Sequence, residues 1–334
     1  MSRALTDDAR RIVRDFVKVQ PGETVSVLSD DSRRAEGEAL ACAAMECGAS
    51  VIHIDVSQVV SRLMAASTFW LDPPANVVAA VQSSNVNLFA VDETYAFRLD
   101  HRVSSLFDTG PECSIFKVDL GMGTWRISPS DLANVEEIGV ELVRAIEGHE
   151  EVRVSSELGT DVRLSIRGRS CLVVPQVPAR GLPYGISVPL WGEYNWAPVE
   201  GSPTGVLVID GLSEAGKVMG VVAEPVVMTV VDGRVCEVHG DGPDAEAFRA
   251  VFATDEGAAV VGELGIGGNP NALVGTETEK ALLGTVHFGF GSNASYPGGA
   301  NRSAIHVDGV VRDATVEVDG RVLLEGGHLV REAP

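Results

Sequence analysis

The most constraining feature of this sequence is a change of periodicity near residue 148. Before that point, short apolar runs alternate with helical patterns: residues 24–28 and 50–54 predict strands, and the Ala-rich stretch 33–47 predicts a helix that ends at Gly48. Strands that alternate with helices of this length favour a parallel sheet with right-handed crossovers. Residues 1–148 are therefore predicted to form an α/β domain with a mainly parallel sheet.

The remaining residues, 149–334, follow a two-residue period interrupted by glycines. The dipeptides Asp232–Gly233 and Asp319–Gly320 each separate two alternating apolar runs, which is the pattern of a tight β-hairpin. One helix is expected at 243–252, where proline and acidic residues open a helical pattern. This half of the chain is predicted to be a β-rich C-terminal domain.

Charge and composition exclude several classes of function. The chain has 26 Lys and Arg against 47 Asp and Glu, a net charge of −21, which disfavours nucleic-acid and anionic-membrane partners and suits bound cations. No dinucleotide or P-loop motif follows a predicted strand. The five cysteines form no CxxC pair, and no apolar run approaches the roughly 20 residues needed to span a bilayer. A cytoplasmic location is the resulting expectation.

Several candidate metal ligands lie in the second half. His287 and His306 flank a Gly/Asn/Ser-rich loop, and a strand would place His306 and Asp308 on one face as ligands for one cation. Glu193 and Glu263 lie in apolar or glycine-rich segments. A carboxylate in such surroundings is costly unless a cation or hydrogen bonds meet it. These residues predict a cation site in the C-terminal domain.

Three segments carry a family resemblance. GEYNWAPVEGSPTGVLVIDG resembles the GEVxTAPxExSxxG block of the thermophilic metalloaminopeptidases, aminopeptidases T and S. VGELGIGGNP resembles their second glutamate block, and VHFGFGSNASYPGGANRSAIHVDG resembles their closing IHxAxGxxY…GxNxSxIHxD block. The resemblance implies an α/β N-terminal domain and a β-rich metal-binding C-terminal domain, usually in a homodimer.

Carried over position by position, the resemblance implies one set of five ligands. These are Glu193, Glu263, His287, His306 and Asp308. Their oxygen and nitrogen atoms suit two divalent cations such as zinc, cobalt or manganese. The implied activity is hydrolysis of an amide or peptide-like bond in a small molecule or short peptide, with a metal-activated water as the nucleophile.

Glu263 and Tyr296 are the candidate catalytic residues under this interpretation. The family places a tyrosine seven residues after its first histidine, where this chain has Ala294. Tyr296, two residues further, is the residue that can take its place if the loop bends differently. The loop between the two histidines is also shorter than in the aminopeptidases.

A sister branch of the same superfamily offers a second interpretation. The 2,5-dihydroxypyridine 5,6-dioxygenases are mononuclear ferrous ring-cleaving enzymes whose length and compact closing loop resemble this chain. Aligned with them, the chain has Glu263 in place of a histidine and Gly289 in place of a serine ligand. The positions of Glu193 and His287 are not ligands there. The overall shape therefore favours the dioxygenases, whereas the ligand set favours the hydrolases.

The alternative activity is thus cleavage of a hydroxylated N-heterocycle by one Fe(II). Two histidines and a carboxylate, here His287, His306 and Asp308, would suffice to hold that iron. The aromatic residues Trp191, Tyr194 and Trp196 would then form either a flat wall for the ring or part of the core. A third interpretation is a non-catalytic binding protein with a vestigial site.

Overall fold

The computed structural model describes residues 2–65, 74–91, 114–118, 122–173, 186–187, 192–216 and 219–331. The chain divides into two compact units. One unit comprises Met1–Ser128 with Val177–Pro189, and the other comprises Pro129–Gln176 with Leu190–Pro334. The family resemblance placed the candidate ligands in the second half of the chain, and all of them belong to the second unit.

The first unit contains a five-stranded sheet in the order β2-β1-β3-β4-β8, and every pair in it is parallel. This arrangement confirms the predicted α/β fold with a parallel sheet. Its strands are β1 Thr24–Ser29, β2 Ser50–Asp55, β3 Val86–Ala90, β4 Ser114–Lys117 and β8 Ile186–Ser187. Its helices are α1 Arg3–Arg11, followed by a π-helical turn, α2 Arg34–Glu46, α3 Ser57–Ala65 and α4 Ala75–Gln82.

Helix α2 illustrates why these elements form where the sequence predicts them. Its small side chains allow close packing on the sheet, and Leu40 and Ala44 are fully buried. The helix ends because Gly48 adopts a φ of +83°, a left-handed conformation that glycine tolerates without steric cost.

The second unit contains two antiparallel sheets, which confirms the β-rich half. The first has the order β14-β13-β10-β6-β5-β18-β19-β20, and the second has the order β12-β11-β17-β16-β15-β9-β7. The strands of the first sheet are β5 Glu151–Ser155, β6 Asp161–Ser165, β10 Thr204–Ile209, β13 Val226–Val231, β14 Arg234–His239, β18 Thr315–Val318, β19 Arg321–Glu325 and β20 His328–Leu329. The strands of the second sheet are β7 Leu172–Val173, β9 Glu193–Trp196, β11 Leu212–Ser213, β12 Gly220–Val221, β15 Val261–Gly267, β16 Val286–Gly291 and β17 His306–Val311.

Both predicted hairpin turns are present. Asp232 and Gly233 connect β13 to β14 with φ values of +46° and +79°, and Asp319 and Gly320 connect β18 to β19 with +47° and +80°. Positive φ at both central residues is the signature of a type I′ turn, whose twist matches that of the flanking strands. The Asp-Gly dipeptides therefore fix the register of two strand pairs.

The unit boundary differs from the predicted boundary at residue 148. Helix α5, Pro129–Ile146, belongs to the second unit. Its apolar face packs against β9: the Tyr194 hydroxyl donates to the Val135 carbonyl at 3.2 Å, and a Cβ on Gly139 would overlap that ring. Sequence periodicity identifies such a helix but does not reveal which sheet its apolar face covers.

The described helices are short. The longest, α5, has 18 residues, and α6, Pro243–Phe252, occupies the position predicted for the single helix of the second half. Among the helices that the structure describes, none combines the length and apolar character needed to cross a bilayer.

The second sheet buries one face in apolar packing. On β16, the Phe290 ring meets Phe248 of α6 edge-on, with centroids 5.9 Å apart. On β17, a Cβ added to Gly309 would lie 2.8 Å from Ile209 of β10, so the two sheets approach closely there. Because side chains alternate along a strand, His306 and Asp308 project from the opposite face, which we call the site face.

Candidate metal centre

The candidate ligands lie on four neighbouring strands of the second sheet. Strands β9, β15, β16 and β17 are adjacent and antiparallel, and each contributes one or two residues to the site face. All five predicted ligands are brought together here: Glu193, Glu263, His287, His306 and Asp308.

Glycines opposite the ligands make room for them. His287 pairs with Gly265 across the sheet, and Gly289 lies between Glu263 and Asp308 in the cross-strand row. A Cβ on Gly265 would be 2.0 Å from the His287 ring, and one on Gly289 would be 2.6 Å from Glu263 Oε2 and 2.8 Å from Asp308 Oδ1. The glycine-rich spacing of GELGIG and HFGFG is therefore a steric requirement of the site face.

A β-bulge precedes the central carboxylate. The register between β15 and β16 shifts by one residue between Val261 and Glu263, so Gly262 is the extra residue. Bulges of this kind bend a strand and redirect the following side chain. Glu263 follows the bulge directly, and its side chain is fully buried among the other ligands.

The first group of ligands consists of Glu193, Glu263 and His287. One donor atom from each lies within 4.8 Å of the others. His287 Nε2 is 3.4 Å from Glu193 Oε1 and 3.3 Å from Glu263 Oε1. All three residues are buried, so the group has the donor types and the spacing of a divalent-cation site.

The second group consists of Glu263, His306 and Asp308, within the same 4.8 Å limit. His306 Nε2 is 2.9 Å from Glu263 Oε2 and 3.3 Å from Asp308 Oδ1. Glu263 thus faces the first group with one oxygen and the second group with the other. Among the described residues, the two histidines never fall in one group of three.

The outward nitrogen of each histidine is held by a backbone carbonyl. His287 Nδ1 is 3.2 Å from the Lys280 carbonyl oxygen, and His306 Nδ1 is 2.8 Å from that of Ser292. A carbonyl only accepts, so Nδ1 carries the hydrogen and Nε2 points at the carboxylates. Metal-binding histidines are oriented in this way by their surroundings.

Two carboxylate oxygens at the centre support the same fit. Glu193 Oε2 is buried and has no hydrogen-bond partner among the described residues, and the buried Asp308 Oδ1 has an ion-pair contact with His306 Nε2 at 3.3 Å but no hydrogen bond of good geometry. The other oxygen of each is held: Asn195 Nδ2 donates to Glu193 Oε1 at 2.9 Å, and Lys280 Nζ donates to Asp308 Oδ2 at 2.9 Å. An unpartnered buried carboxylate oxygen is costly, and a cation removes that cost. The residues present therefore fit a metal centre.

Mutual contacts shift the ionisation of these groups strongly. Burial disfavours the charged form of His287, but its contacts with Glu193 and Glu263 outweigh burial and raise its pKa to about 10. Burial opposes ionisation of Glu263, yet hydrogen bonds from the two histidines lower its pKa to about 2. Contacts with Asp308 and Glu263 likewise outweigh burial and raise the pKa of His306, so the carboxylates favour positive charge at both histidines. This is the electrostatic signature of a site that attracts positive charge.

Tyr296 also reaches the centre. Its hydroxyl donates to Glu263 Oε2 at 2.7 Å and lies 3.4 Å from His306 Nε2. The loop turns back at Asn293, whose side-chain amide donates to the Gly262 carbonyl and whose own carbonyl accepts from the Tyr296 N–H. Burial and the adjacent Glu263 charge raise the pKa of Tyr296 well above its usual value, so the hydroxyl stays protonated. The loop therefore brings Tyr296 to the candidate ligands, and its equivalence to the family tyrosine stays a prediction.

Sequence reasoning missed three residues that contact the ligands. These are Asn195 beside Glu193, and Lys280 with Glu214 beside Asp308. Asn195 lies two residues after Glu193 on the same strand, so its position could have been read from strand periodicity. Lys280 and Glu214 lie in short turns with no motif, and only the tertiary structure brings them to the site.

The proposed aromatic wall is not supported. Tyr194 and Trp196 are 2% and 0% exposed and, by strand alternation, lie on the face opposite Glu193. The Tyr194 hydroxyl contacts helix α5, so these residues are core. Trp191 lies outside the described residues.

Two of the solved structures that resemble this chain align with it over nearly their whole length. 2,5-Dihydroxypyridine dioxygenase from Pseudomonas putida KT2440 aligns over 99% of both chains with 16% identity and a TM-score of 0.66. AmpT from Thermus thermophilus aligns over 98% of this chain and 99% of its own with 17% identity and a TM-score of 0.70. At these identities the likeness establishes the fold alone. A search of curated protein sequences finds no match.

The comparison with protein families is more specific. The model of the 2,5-dihydroxypyridine 5,6-dioxygenase family, NicX, matches residues 126–331. That range covers more than half of the chain and includes both ligand groups and Tyr296. The match and the two folds confirm the aminopeptidase-T-like resemblance together with its dioxygenase branch. The chain therefore belongs to the 2,5-dihydroxypyridine 5,6-dioxygenase (NicX) family, and it shares its fold with AmpT.

Proposed function

We propose that this chain is a metal-dependent hydrolase of an amide or peptide-like bond, with two divalent cations at its centre. One observation carries the proposal: Glu263 belongs to both ligand groups, with Oε1 at 3.3 Å from His287 Nε2 of the first group and Oε2 at 2.9 Å from His306 Nε2 of the second. A carboxylate shared in this way suits a pair of ions rather than one. When bound, such a pair supplies Lewis acidity that activates water and polarises a carbonyl.

The remaining chemistry belongs to the side chains. Glu263 has a depressed pKa and three hydrogen-bonding neighbours, so it is an ionised and well-fixed ligand at neutral pH. Tyr296 keeps its proton and is half-buried, so its hydroxyl can donate to an oxyanion that develops on the substrate. We assign Glu263 as the shared ligand and Tyr296 as the oxyanion donor. A homodimer stays a prediction of the resemblance.

The second candidate is a ring-cleaving dioxygenase with one Fe(II). The family match favours this reaction over hydrolysis, because the matched model is that of a dioxygenase family. Two features of the site argue for hydrolysis instead. His287 and His306 belong to different ligand groups, and the position aligned with the serine ligand of the dioxygenases is Gly289, where an added Cβ would lie 2.6 Å from Glu263 Oε2.

A direct test compares metal content and oxygen dependence. Purified protein is analysed for zinc, manganese, cobalt and iron per chain. Turnover is then measured with and without oxygen on small amides and short peptides, and on hydroxylated N-heterocycles. The hydrolase proposal expects two ions per chain and oxygen-independent cleavage of an amide.

Glu263→Gln provides the matched variant. It preserves size but removes the charge shared by the two groups, so a two-ion hydrolase should lose orders of magnitude in turnover. Arg153→Gln, on β5 and away from the centre, is the control for loss of a charged contact. One iron per chain with strictly oxygen-dependent ring cleavage would establish the dioxygenase instead. Absence of any bound metal in an intact, folded sample would favour a binding protein.

A further inference from the structure

A buried lysine contacts one ligand group directly. The side chain of Lys280 is 7% exposed, and its ammonium donates to Asp308 Oδ2 and to Glu214 Oε1, each at 2.9 Å. It comes from a 3₁₀ turn, Glu277–Ala281, that is buried along its whole length. A fixed positive charge therefore lies beside the second group, Glu263, His306 and Asp308.

Glu214 secures this arrangement from the other side. Its second oxygen accepts from the Asp308 backbone N–H at 3.1 Å, and its backbone N–H donates to the Asp308 carbonyl at 2.9 Å. The Glu214 side chain is fully buried. Lys280 thus lies between two carboxylates, one of which is a candidate ligand and the other is not.

The first group has different surroundings. Glu193 receives its hydrogen bond from Asn195, a neutral donor, and His287 is fully buried. In the second group, the side chain of His306 is 16% exposed. In the second group, Asp308 accepts a hydrogen bond from the Lys280 ammonium. The carboxylates of the first group accept no such bond, and the Lys280 charge acts on Glu193 less strongly than on Asp308.

We infer that the two cation positions are unequal, with the Glu193–Glu263–His287 position binding tightly and the Glu263–His306–Asp308 position binding weakly and exchanging with solvent. The inference rests on the proposed two-cation function. The physical reason is repulsion from the Lys280 ammonium. An isolated unit charge roughly 5 Å from a cation, at an effective dielectric constant of about 20, would change affinity on the order of a hundredfold, and the Glu214 carboxylate offsets part of this effect.

The test titrates metal-free protein with Mn²⁺ by calorimetry. Wild type is expected to bind two ions in two steps that differ at least tenfold in dissociation constant. Asp308→Asn should abolish the weak step and leave the tight one. Glu193→Gln should abolish or greatly weaken the tight step. The opposite assignment, with Asp308→Asn removing the tight step, would overturn the inference.

Substitutions of Lys280 and Glu214, which both contact Asp308, should then change the affinity of the weaker binding step in opposite directions. Lys280→Met removes the repelling charge, so the weak step should tighten by tenfold or more. Glu214→Gln leaves Lys280 without its offsetting carboxylate, so the weak step should weaken. Lys280→Arg keeps the positive charge and should leave the ratio of the two dissociation constants unchanged.

A purely structural role for Lys280 gives a different result. It predicts that Lys280→Met and Glu214→Gln both weaken the same step, which would refute the charge argument. If Lys280→Met does not fold, the Glu214→Gln titration and the assignment of steps still decide the inference. Two steps of equal affinity in wild type would overturn the inference but leave the two-cation function standing. A single ion per chain would refute the proposed function itself.

Discussion

Substitution of Gly289 by alanine probes the steric design of the metal centre. Gly289 lies between Glu263 and Asp308 in the cross-strand row. The new Cβ would lie 2.6 Å from Glu263 Oε2, 2.8 Å from Glu263 Cβ and 2.8 Å from Asp308 Oδ1. Because Glu263 belongs to both ligand groups, its displacement should disturb both cation positions.

The expected magnitudes follow from these contacts. Overpacking of a well-packed site costs about 1–3 kcal/mol, so the metal-free variant should unfold a few degrees lower. Misplacing ligands typically weakens metal binding by about 10–100-fold. At a fixed ion concentration, a hundredfold loss for one ion removes about 2.7 kcal/mol of metal-linked stability. For a unit of this size that corresponds to roughly 5–10 °C in melting temperature.

The assay measures melting temperature in the presence of a chelator and at saturating Mn²⁺ or Zn²⁺, together with calorimetric titration of each ion. Gly220→Ala, on β12 of the same sheet, is the matched control because no atom of the described residues lies within 4 Å of its new Cβ. The metal-induced rise in melting temperature should shrink in Gly289→Ala and persist in Gly220→Ala. Wild-type metal affinity in Gly289→Ala would refute the steric argument.

Three further predictions concern the centre and the loop beside it. A chelator should lower the melting temperature of wild type, and the correct divalent ion should restore it, because buried carboxylates repel one another without a cation; an unchanged curve after proven metal removal would contradict this. Asn195→Ala removes the donor to Glu193 Oε1, so binding of the tighter ion should weaken about tenfold while the weaker step is unaffected. Hydrogen bonds from the Ala304 N–H and the Ser303 hydroxyl outweigh burial and lower the pKa of Asp255 in the folded protein. The ionised Asp255 therefore stabilises the fold fully above the unfolded-state pKa of about 3.9, and this stabilisation is lost as the pH falls through the lower pKa of the folded state. Asp255→Asn should therefore lower the melting temperature at pH 7, and the difference from wild type should narrow below about pH 4; a pH-independent difference would exclude a charge effect.

The local elements of the fold were predictable because each depends on neighbouring residues. The Asp-Gly turns need only two residues that accept positive φ, and the hairpins at 232–233 and 319–320 follow from them. Helix α2 and its stop at Gly48 depend on composition and one glycine. The assignment of helix α5 to the second unit was missed, because it depends on contact with Tyr194, a residue distant in sequence.

The candidate ligands were predicted from the sequence through blocks that resemble a known family, and the structure brings all five together. The division of these residues into two groups could not be predicted from the sequence. The strand pattern placed His306 and Asp308 on one face, but the sharing of Glu263 between two groups depends on the bulge at Gly262 and on the register of four strands. The position of Tyr296 likewise depends on a loop turn fixed by Asn293.

The sequence alone therefore determined the two classes of secondary structure, the turns and the chemical types of the ligands, since periodicity and residue chemistry are local properties. Only the tertiary structure decided which candidate ligands lie together in one group and which charges surround them. Lys280 and Glu214 lie 66 positions apart and meet 2.9 Å from each other beside Asp308. No local pattern encodes that contact, because it arises where a buried turn packs against the sheet.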